Sequence, residues 1–355
     1  MQPMNTTSKM QLQCPMPKFD FEIITLGHGS GGVLTSKLLD EMILSQFSND
    51  LLDKKHDGAI IPIEKGRLAF STDSFVVSPL FFPGGNIGDL AINGTVNDLA
   101  MCGAMPKYLS LSFIIEEGLK VTDFWQVIQS LKKAAEVAGI QIVTGDTKVV
   151  EKGKGDQLFI NTSGIGLVHE KANIDAQRIE IGDKIIVSNS IAHHGMAIMS
   201  VREGLQFESE IKSDSCAVNY IITELLDQFG DKIKLLRDPT RGGVATVLNE
   251  IAEDINKGVF IEESKIIIDE NVAGACELMG LDPLFVANEG VFIAIISPEI
   301  ETEALAIIQK HEKAQKAFCI GSIVTENPKK VVIQSEMGGK RMISKLIGEQ
   351  LPRIC

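Results

Sequence analysis

Three aspartates in the first half of the chain, Asp73, Asp98 and Asp146, lie at or near the ends of apolar segments. If the three carboxylates converge, they provide the oxygen ligands that Mg²⁺ prefers, and through the ion they hold a triphosphate. Taken singly, each is better explained as a helix cap or a surface residue, as most aspartates are. The three together predict a Mg²⁺–nucleotide site, provided that neighbouring segments supply contacts to phosphate.

A glycine-rich loop is the first candidate for such contacts. Residues 27–32 read Gly-His-Gly-Ser-Gly-Gly, and four glycines in six residues are unfavourable inside a helix or a strand. A helical pattern begins directly after them, and the backbone N–H groups of such a loop can approach phosphate closely. The spacing matches neither the Walker A motif nor the Rossmann fingerprint. A mobile lid and a plain linker are both consistent with this sequence.

A second polar segment, residues 145–148 (Gly-Asp-Thr-Lys), follows the apolar run 140–143 and is predicted to form a corner after a strand. Lys148 could pair with phosphate, or could act on the reacting group if desolvation lowered its pKa. A lysine that follows a strand is otherwise an ordinary solvated residue.

The second half of the chain contains two further polar turns. In residues 238–243 (Asp-Pro-Thr-Arg-Gly-Gly) a proline and two glycines shape a tight turn that presents Arg241, and a helix begins directly behind it. Glu289 stands between Asn288 and Gly290 before a very apolar strand. In a water-poor pocket it could be a general base; otherwise it belongs to an ordinary strand-entry turn. The adjacent pair His193-His194 predicts no metal site, because neighbouring residues at a helix start point in different directions.

The last residue, Cys355, carries its thiol at the most mobile point of the chain. Pro352 prevents a helix from running to the end, and Arg353 places a cation beside the thiol. One interpretation is an arm that carries a nucleophile into a pocket, and the alternative is an accidental thiol on a frayed end.

Composition indicates an enzyme-like α/β protein. With 44% hydrophobic and 23% charged residues it is typical of globular proteins, and the net charge of −13 argues against nucleic acid as a partner. The six cysteines form no CxxC pair, which disfavours structural zinc and favours a reducing compartment. The first residues lack a secretory h-region, and no apolar run is long enough to span a bilayer. We therefore expect a cytoplasmic protein.

The order of apolar and polar segments predicts two α/β domains of the α+β type. Both halves mix paired strands with single helices, so we expect mixed sheets rather than a doubly wound parallel sheet. The predicted units are a flexible lead-in (1–18), an N-terminal domain (19–172), a C-terminal domain (173–345) and a mobile tail (346–355) that carries Cys355. Among the individual elements, residues 68–77 and 266–268 are predicted strands, and residues 216–229 and 299–315 are predicted helices.

In this order, the motifs resemble those of the HypE family of hydrogenase maturation factors, which belongs to the aminoimidazole ribonucleotide synthetase-like ATP-binding superfamily. The resemblance runs from Gly27 to Cys355, and its most specific part is the Pro-Arg-Ile-Cys ending. The motifs that carry it are residues 27–32, 71–74 (Ser-Thr-Asp-Ser), 96–104 (Val-Asn-Asp-Leu-Ala-Met-Cys-Gly-Ala), 145–148, 238–243, 287–290 (Ala-Asn-Glu-Gly) and 352–355.

The resemblance implies an ATP-dependent carbamoyl dehydratase. In that family a partner carbamoyltransferase, HypF, loads a carbamoyl group onto the terminal cysteine as an S-carboxamide. ATP phosphorylates the carboxamide oxygen, a proton leaves nitrogen, and phosphate departs to leave a thiocyanate. The nitrile then passes to iron in the HypC–HypD scaffold complex, as a cyanide ligand of nickel–iron hydrogenase.

The resemblance also implies residue roles. Cys355 is the carrier nucleophile, Glu289 the base, and Lys148 a proton relay or phosphate partner. The N-terminal domains are expected to pair into a homodimer with the nucleotide near the interface. The residues expected to hold Mg²⁺ are Asp73, Asp98 and Asp146, and those expected to contact ATP are Asp73, Asn97, Asp98, Gly145, Asp146, Thr147, Asp238, Arg241 and Gly242.

Two other functions are weighed against this one. A small-molecule kinase or synthetase of the same fold, with selenophosphate or thiamine phosphate chemistry, would act independently of Cys355, and the Pro-Arg-Ile-Cys ending counts against it. A non-catalytic carrier would ferry a group on its tail without consuming ATP, and the intact set of acidic residues and Lys148 counts against that.

Overall fold

The computed structural model of the protein describes residues 21–25, 28, 38–49, 65–204 and 210–345. The predicted lead-in, the glycine-rich loop apart from His28, and the tail with Cys355 lie outside the described residues. The predicted boundaries of the lead-in, the two domains and the tail stay predictions.

The N-terminal domain contains a four-stranded mixed sheet in the order β1-β6-β4-β5. Strands β4 and β5 are parallel, and the other two pairs are antiparallel. Helices α1 and α2 pack on one face of the sheet, and together with that face they form the hydrophobic core of the domain. The elements are β1 (Leu68–Phe75), the short β2 (Phe81–Phe82) and β3 (Gly85–Asn86), α1 (Ile87–Met101), β4 (Ala104–Glu116), α2 (Val121–Ala138), β5 (Gln141–Val150) and β6 (Leu158–Val168). A short helical stretch, Leu38–Leu44 continued by Ser45–Phe47, also packs against this core.

Local signals explain where α1 and α2 begin and end. Asn86 and Asp89 form a capping box at the start of α1. The Asn86 side-chain oxygen accepts the N–H of Gly88, and the Asp89 carboxylate accepts the N–H of Asn86. Helix α2 ends at Gly139, whose φ of 70° is the left-handed conformation that glycine adopts without strain. This glycine is a local sequence signal for the end of α2.

The C-terminal domain contains a seven-stranded mixed sheet in the order β13-β12-β9-β11-β7-β10-β8, in which only the β9–β12 pair is parallel. Successive residues of 293–296 are buried in two different clusters, because helices cover both faces of the sheet. The expectation of two domains with mixed sheets is confirmed. The elements are β7 (Lys184–Val187), α3 (His193–Arg202), α4 (Asn219–Phe229), β8 (Ile233–Arg237), α5 (Gly243–Ile255), β9 (Gly258–Glu262), α6 (Glu270–Met279), β10 (Ile293–Ile296), α7 (Glu301–Ile308), β11 (Phe318–Val324), β12 (Val331–Gln334) and β13 (Lys340–Ile343).

Several predicted elements are wrong in position or type. Residues 145–148 are not a corner, because β5 continues through them in parallel pairing with β4. Residues 266–268 form no strand; they follow a 3₁₀ turn, and one backbone bond joins Ile191 to Ile267. The predicted helix at 216–229 begins only at Asn219, and the one at 299–315 ends at Ile308. Strand-like and helix-like apolar runs of this length are difficult to distinguish by periodicity alone.

Within the described ranges, Cys102, Cys216, Cys276 and Cys319 are all free thiols. No helix in the same part of the chain is sufficiently long and apolar to cross a bilayer.

Candidate active site

Glu289 lies in the turn before β10 and is 5% exposed. Its Oε1 atom is buried and has no hydrogen-bond partner among the residues that the structure describes. Burial raises the pKa of the Glu289 carboxyl well above its usual value, and the carboxylates of Asp214 and Asp238 raise it further. An unpaired buried carboxyl with a raised pKa is the kind of group that active sites use for proton transfer.

The turn that carries Glu289 is fastened to the turn at residues 238–243. The backbone N–H and the side-chain amide of Asn288 both donate to the Pro239 carbonyl oxygen, at 3.2 and 3.0 Å. The Asn288 side-chain oxygen accepts the N–H of Ala192 at 2.7 Å. The two motifs, which the sequence presents about 50 residues apart, therefore form one rigid unit.

Helix α1 of the N-terminal domain reaches this unit through Asn97. The Asn97 amide donates to the carbonyl oxygens of Cys216 and Glu289, at 2.9 and 3.1 Å, and its oxygen accepts the N–H of Val218 at 2.9 Å. Asn97 was expected to contact ATP. That contact stays a prediction. In the structure the buried Asn97 side chain joins the two domains, which the local sequence does not reveal.

The carboxylates of Asp98, Asp238 and Asp73 face one another across the two domains. Burial and the charges of Asp238 and Asp73 raise the pKa of Asp98 to about 7, against a stabilising hydrogen bond of 2.7 Å from the Ser71 hydroxyl. Burial also raises the pKa of Asp238. Carboxylates that raise one another's pKa in a partly buried site attract positive charge.

The turn at 238–243 places Arg241 beside this cluster. Burial raises the pKa of Asp73, and the charge of Arg241 opposes this shift. Gly242 and Gly243 have φ values of 79° and 61°, and a Cβ on Gly242 would lie 2.3 Å from the Thr246 hydroxyl oxygen. Both glycines are required for the sharp entry into α5, whose first backbone N–H groups are directed toward the turn.

Asp146 and Lys148 lie away from this cluster. Asp73 and Asp146 occupy β1 and β5, the two edge strands, so three inter-strand spacings of ~4.8 Å separate them. Asp73 lies against Gly94 of α1 on the helix-covered face, whereas Asp146 and Lys148 line a cavity on the opposite face. The prediction that Asp73, Asp98 and Asp146 converge is therefore wrong within one chain. Among the described residues no group of three or more His, Cys, Asp or Glu side chains is arranged to hold a metal ion.

Gly145 and Thr147 each have a structural role within a single chain. A Cβ on Gly145 would lie 2.1 Å from the carbonyl oxygen of Leu111 on β4, so only glycine fits at this point of the sheet. The N–H of Thr147 donates to the Asp146 carboxylate at 2.8 Å and fixes its orientation.

The cavity next to Lys148 has a volume of about 500 Å³ and opens on the sheet face that no described helix covers. The same face carries exposed apolar side chains, of which Phe70 is the most exposed at 67%. The others are Leu68, Ile114 and Leu167. Leu68 pairs with Leu167 beside Phe70 at one end of the face, whereas Ile114 lies at the other end, beyond a polar band. An exposed apolar cluster such as that of Phe70, Leu68 and Leu167 is a feature of protein–protein contacts.

Comparison with known proteins defines the class first. Residues 55–168 match the family "AIR synthase related protein, N-terminal domain", and residues 180–334 match the corresponding C-terminal domain family. The two mixed-sheet domains are thus those of an AIR synthase related protein.

More similar relatives define the family within that class. The carbamoyl dehydratase HypE of Bradyrhizobium diazoefficiens is 46% identical over 94% of this chain and 96% of its own length. A crystal structure of the hydrogenase maturation protein HypE in complex with ATP matches with a TM-score of 0.90 and 43% identity, over 93% of this chain and 99% of that one. A HypE–HypF complex matches with a TM-score of 0.77 and 43% identity, over 89% of this chain and 100% of that one. The chain belongs to the HypE family.

Proposed function

We propose that this protein is an ATP-dependent carbamoyl dehydratase, which converts an S-carboxamide on its own Cys355 to a thiocyanate during hydrogenase maturation. The observation that carries the proposal is the buried Glu289 carboxyl, whose Oε1 atom has no partner among the described residues and which lies near acidic residues of both domains. The family membership supports the same activity, since the relatives of this chain are carbamoyl dehydratases and one of them is bound to ATP.

The reaction joins dehydration of an amide to hydrolysis of ATP. The carboxamide oxygen attacks the γ-phosphorus, and ADP leaves. Nitrogen gives up its two protons, the first as the phosphorylated intermediate forms and the second as the C–O bond breaks and phosphate departs with formation of the C≡N bond. The net change is S-carboxamide plus ATP to thiocyanate, ADP and phosphate. Phosphorylation is required because an amide oxygen is otherwise a poor leaving group.

Glu289 is the proposed base that removes the amide proton. Because its pKa is raised, the ionised Glu289 carboxylate is a stronger base than an ordinary glutamate, which suits a weakly acidic proton. Its burial excludes water from the reacting group and protects the product nitrile from hydrolysis. The bonds from Asn97 and Asn288 hold the turn in place, so the carboxyl needs no reorganisation during the reaction.

Asp73 and Asp98 are the proposed Mg²⁺ ligands on this chain, with Asp238 beside them. Their mutual repulsion and oxygen donors fit a hard divalent cation. When bound, Mg²⁺ would neutralise phosphate charge and make phosphorus more susceptible to attack. Arg241 and the N–H groups at the start of α5, with Gly242 before them, are proposed to bind phosphate oxygens.

We further propose a homodimer that pairs the open sheet faces of two N-terminal domains. The exposed apolar residues of that face, with Phe70 at its edge, support this arrangement. Asp146 and Lys148 lie on this open face, whereas Asn97 contacts Glu289 from the helix on the opposite face, so we assign Asp146 and Lys148 to the site of the second copy. Gly145 and Thr147, the strand neighbours of Asp146, would act there through their backbone.

The proposed partners follow from the family. HypF is the proposed carbamoyltransferase that loads Cys355. In support, this chain is 43% identical in sequence to a chain of similar fold in a HypE–HypF complex. The HypC–HypD scaffold complex is the proposed acceptor of the nitrile.

The proposal is tested by the intact mass of protein that carries a carbamoyl group on Cys355, before and after addition of Mg·ATP. We expect the loss of one water per chain together with stoichiometric ADP and phosphate. ATP consumption without the mass change would instead indicate a small-molecule kinase, and neither change would indicate a carrier.

A further inference from the structure

A segment between the two domains passes directly over the turn that carries Glu289. We call residues 210–218 the strap. The Ser213 N–H donates to the Pro83 carbonyl oxygen at 2.8 Å, and the Ser215 hydroxyl accepts from the Asn93 amide at 3.1 Å. Helix α4 begins only after the strap, at Asn219. The strap is therefore fixed on the N-terminal domain although it belongs to the C-terminal half of the chain.

At the centre of the strap, the Asp214 carboxylate binds the backbone of the Glu289 turn. It accepts the N–H of Glu289 through both oxygens, at 3.2 Å each, and the N–H of Gly290 at 3.3 Å. The approach is so close that a Cβ on Gly290 would lie 1.9 Å from the Asp214 carbonyl oxygen. Two consecutive N–H groups directed at one carboxylate form a short anion-binding concavity.

The Glu289 peptide is thus held from both sides. Asp214 accepts its N–H, and the Asn97 amide donates to its carbonyl oxygen. The side chain between them has no bond of its own at Oε1 among the described residues. Its orientation therefore depends on how firmly the backbone is held, and a displacement of about 1 Å at a reacting group can cost ~100-fold in rate.

We propose that Asp214 is a positioning residue for the reaction, which fixes the Glu289 carboxyl by binding the backbone of Glu289 and Gly290 from the strap. The assignment deepens the proposed function and rests on it for its effect on catalysis, but the backbone clamp itself is independent of the reaction.

Asp214 has a second effect, because its charge faces Glu289. The groups that raise the pKa of Glu289 are, after burial, Asp214, Asp238, Asp73 and Asp98, in that order. An Asp214→Asn substitution removes the charge and keeps one oxygen that can accept an N–H. An Asp214→Ala substitution removes both. Comparison of the two variants separates the electrostatic effect from the positioning effect.

The test uses the full-length protein with a carbamoyl group on Cys355 and has two readouts. The first is the single-turnover rate of dehydration as a function of pH. The second is the titration of Glu289, followed by infrared difference spectroscopy of its carboxyl band, which Glu289→Gln identifies by removing it. The second readout requires no dehydratase activity, so an inactive wild-type protein would reject the proposed function and still leave the clamp testable.

We expect Asp214→Asn to shift the Glu289 titration and the acidic limb of the rate profile to lower pH. At the plateau the rate should fall about 10-fold, because a less basic Glu289 removes the proton more slowly. Asp214→Ala should lower the plateau by a further factor of about 10, through loss of positioning. The KM for ATP should stay unchanged in Asp214→Asn, since the clamp does not touch the proposed nucleotide contacts.

A matched control is Asp175→Asn. Asp175 also accepts a backbone N–H, that of Gln177 at 2.9 Å, but it lies away from the strap. It should leave both readouts unchanged. If Asp214→Ala fails to fold, Asp214→Asn and the rescue variant Asp214→Glu, which restores the charge, decide the outcome. Equal plateau rates in Asp214→Ala and Asp214→Asn, together with a wild-type Glu289 titration in Asp214→Asn, would overturn the assignment.

Discussion

The side-chain amide of Asn97, near the end of helix α1, donates a hydrogen bond of 3.1 Å to the main-chain carbonyl oxygen of Glu289 in the other domain. The same side chain bonds the backbone on either side of Ala217. One residue next to Asp98 therefore fixes the distance between the acidic cluster and the proposed base.

Replacement of Asn97 by alanine should weaken both folding and catalysis. The variant leaves buried backbone groups of Cys216, Val218 and Glu289 without partners, so we expect a loss of about 2–4 kcal/mol in the free energy of unfolding. Denaturant unfolding measures the loss, and single-turnover dehydration should slow more than ATP binding weakens. As a control, Asn189→Ala removes a single exposed bond to the Lys313 carbonyl and should change neither. An Asn97→Ala protein of wild-type stability would contradict this role.

The assignment of Lys148 to the second copy can be tested with mixed dimers. Lys148→Ala and Glu289→Ala should each abolish dehydration. In a 1:1 mixture of the two variants, half of the dimers are mixed, and each mixed dimer regains one complete site, so about one quarter of the wild-type activity should return.

This recovery requires that the two residues act from different chains. If Lys148 acts on the Glu289 of its own chain, every site in the mixture lacks one of the two residues and no activity returns. A mixture of Glu289→Ala and Glu289→Gln is the negative control. Every site in it lacks Glu289 whichever chains pair, so mixing alone should restore no activity.

Binding of Mg·ATP should release protons near neutral pH. The pKa of Asp98 is raised to about 7, so below pH 7 the carboxyl is largely protonated and must lose its proton to bind a cation. Calorimetry in buffers of different ionisation enthalpy should show more protons released at pH 6 than at pH 8. In Asp98→Asn this difference should shrink, and an equal release at both pH values in the wild type would argue against Asp98 as a ligand.

Gly290 should not tolerate a side chain. A Cβ at this position would lie 1.9 Å from the Asp214 carbonyl oxygen and 2.7 Å from the Cys216 sulfur, so Gly290→Ala must displace either the strap or the turn. We expect destabilisation of about 2–3 kcal/mol, as for other overpacked sites, and loss of dehydration. Gly274→Ala is the matched control, because nothing lies within 4 Å of a Cβ there and α6 should gain up to ~1 kcal/mol. Equal melting temperatures in both variants would contradict the close approach.

Much of the fold could be predicted from the sequence, because glycine stops and apolar periodicity are local signals. The stop at Gly139 and the turn before α5 are examples. Glu289 and Asp238 can be singled out as candidates for a similar reason, since polar residues stand out next to apolar strands. The bond between Asn288 and Pro239 that unites their turns is invisible locally.

The errors have a common physical cause. Asp146 follows an apolar run, as Asp73 does, so the two look alike in sequence. The strand position and the sheet face of each residue depend on strand order and register, which long-range pairing determines. Asp214 was missed because the strap has no periodicity: its polar residues resemble those of a linker. The strap is seen to be bound along its length only in the folded structure, through contacts with Pro83, Asn93, Asn97 and Gly290.

The central claim is that Glu289 drives an ATP-dependent dehydration on Cys355. The most direct measurement is the intact mass of carbamoylated wild-type and Glu289→Gln protein after one turnover with Mg·ATP. We predict that the wild type loses one water per chain with release of ADP and phosphate, and that Glu289→Gln retains its full carbamoylated mass. Loss of water from Glu289→Gln at the wild-type rate would contradict the account.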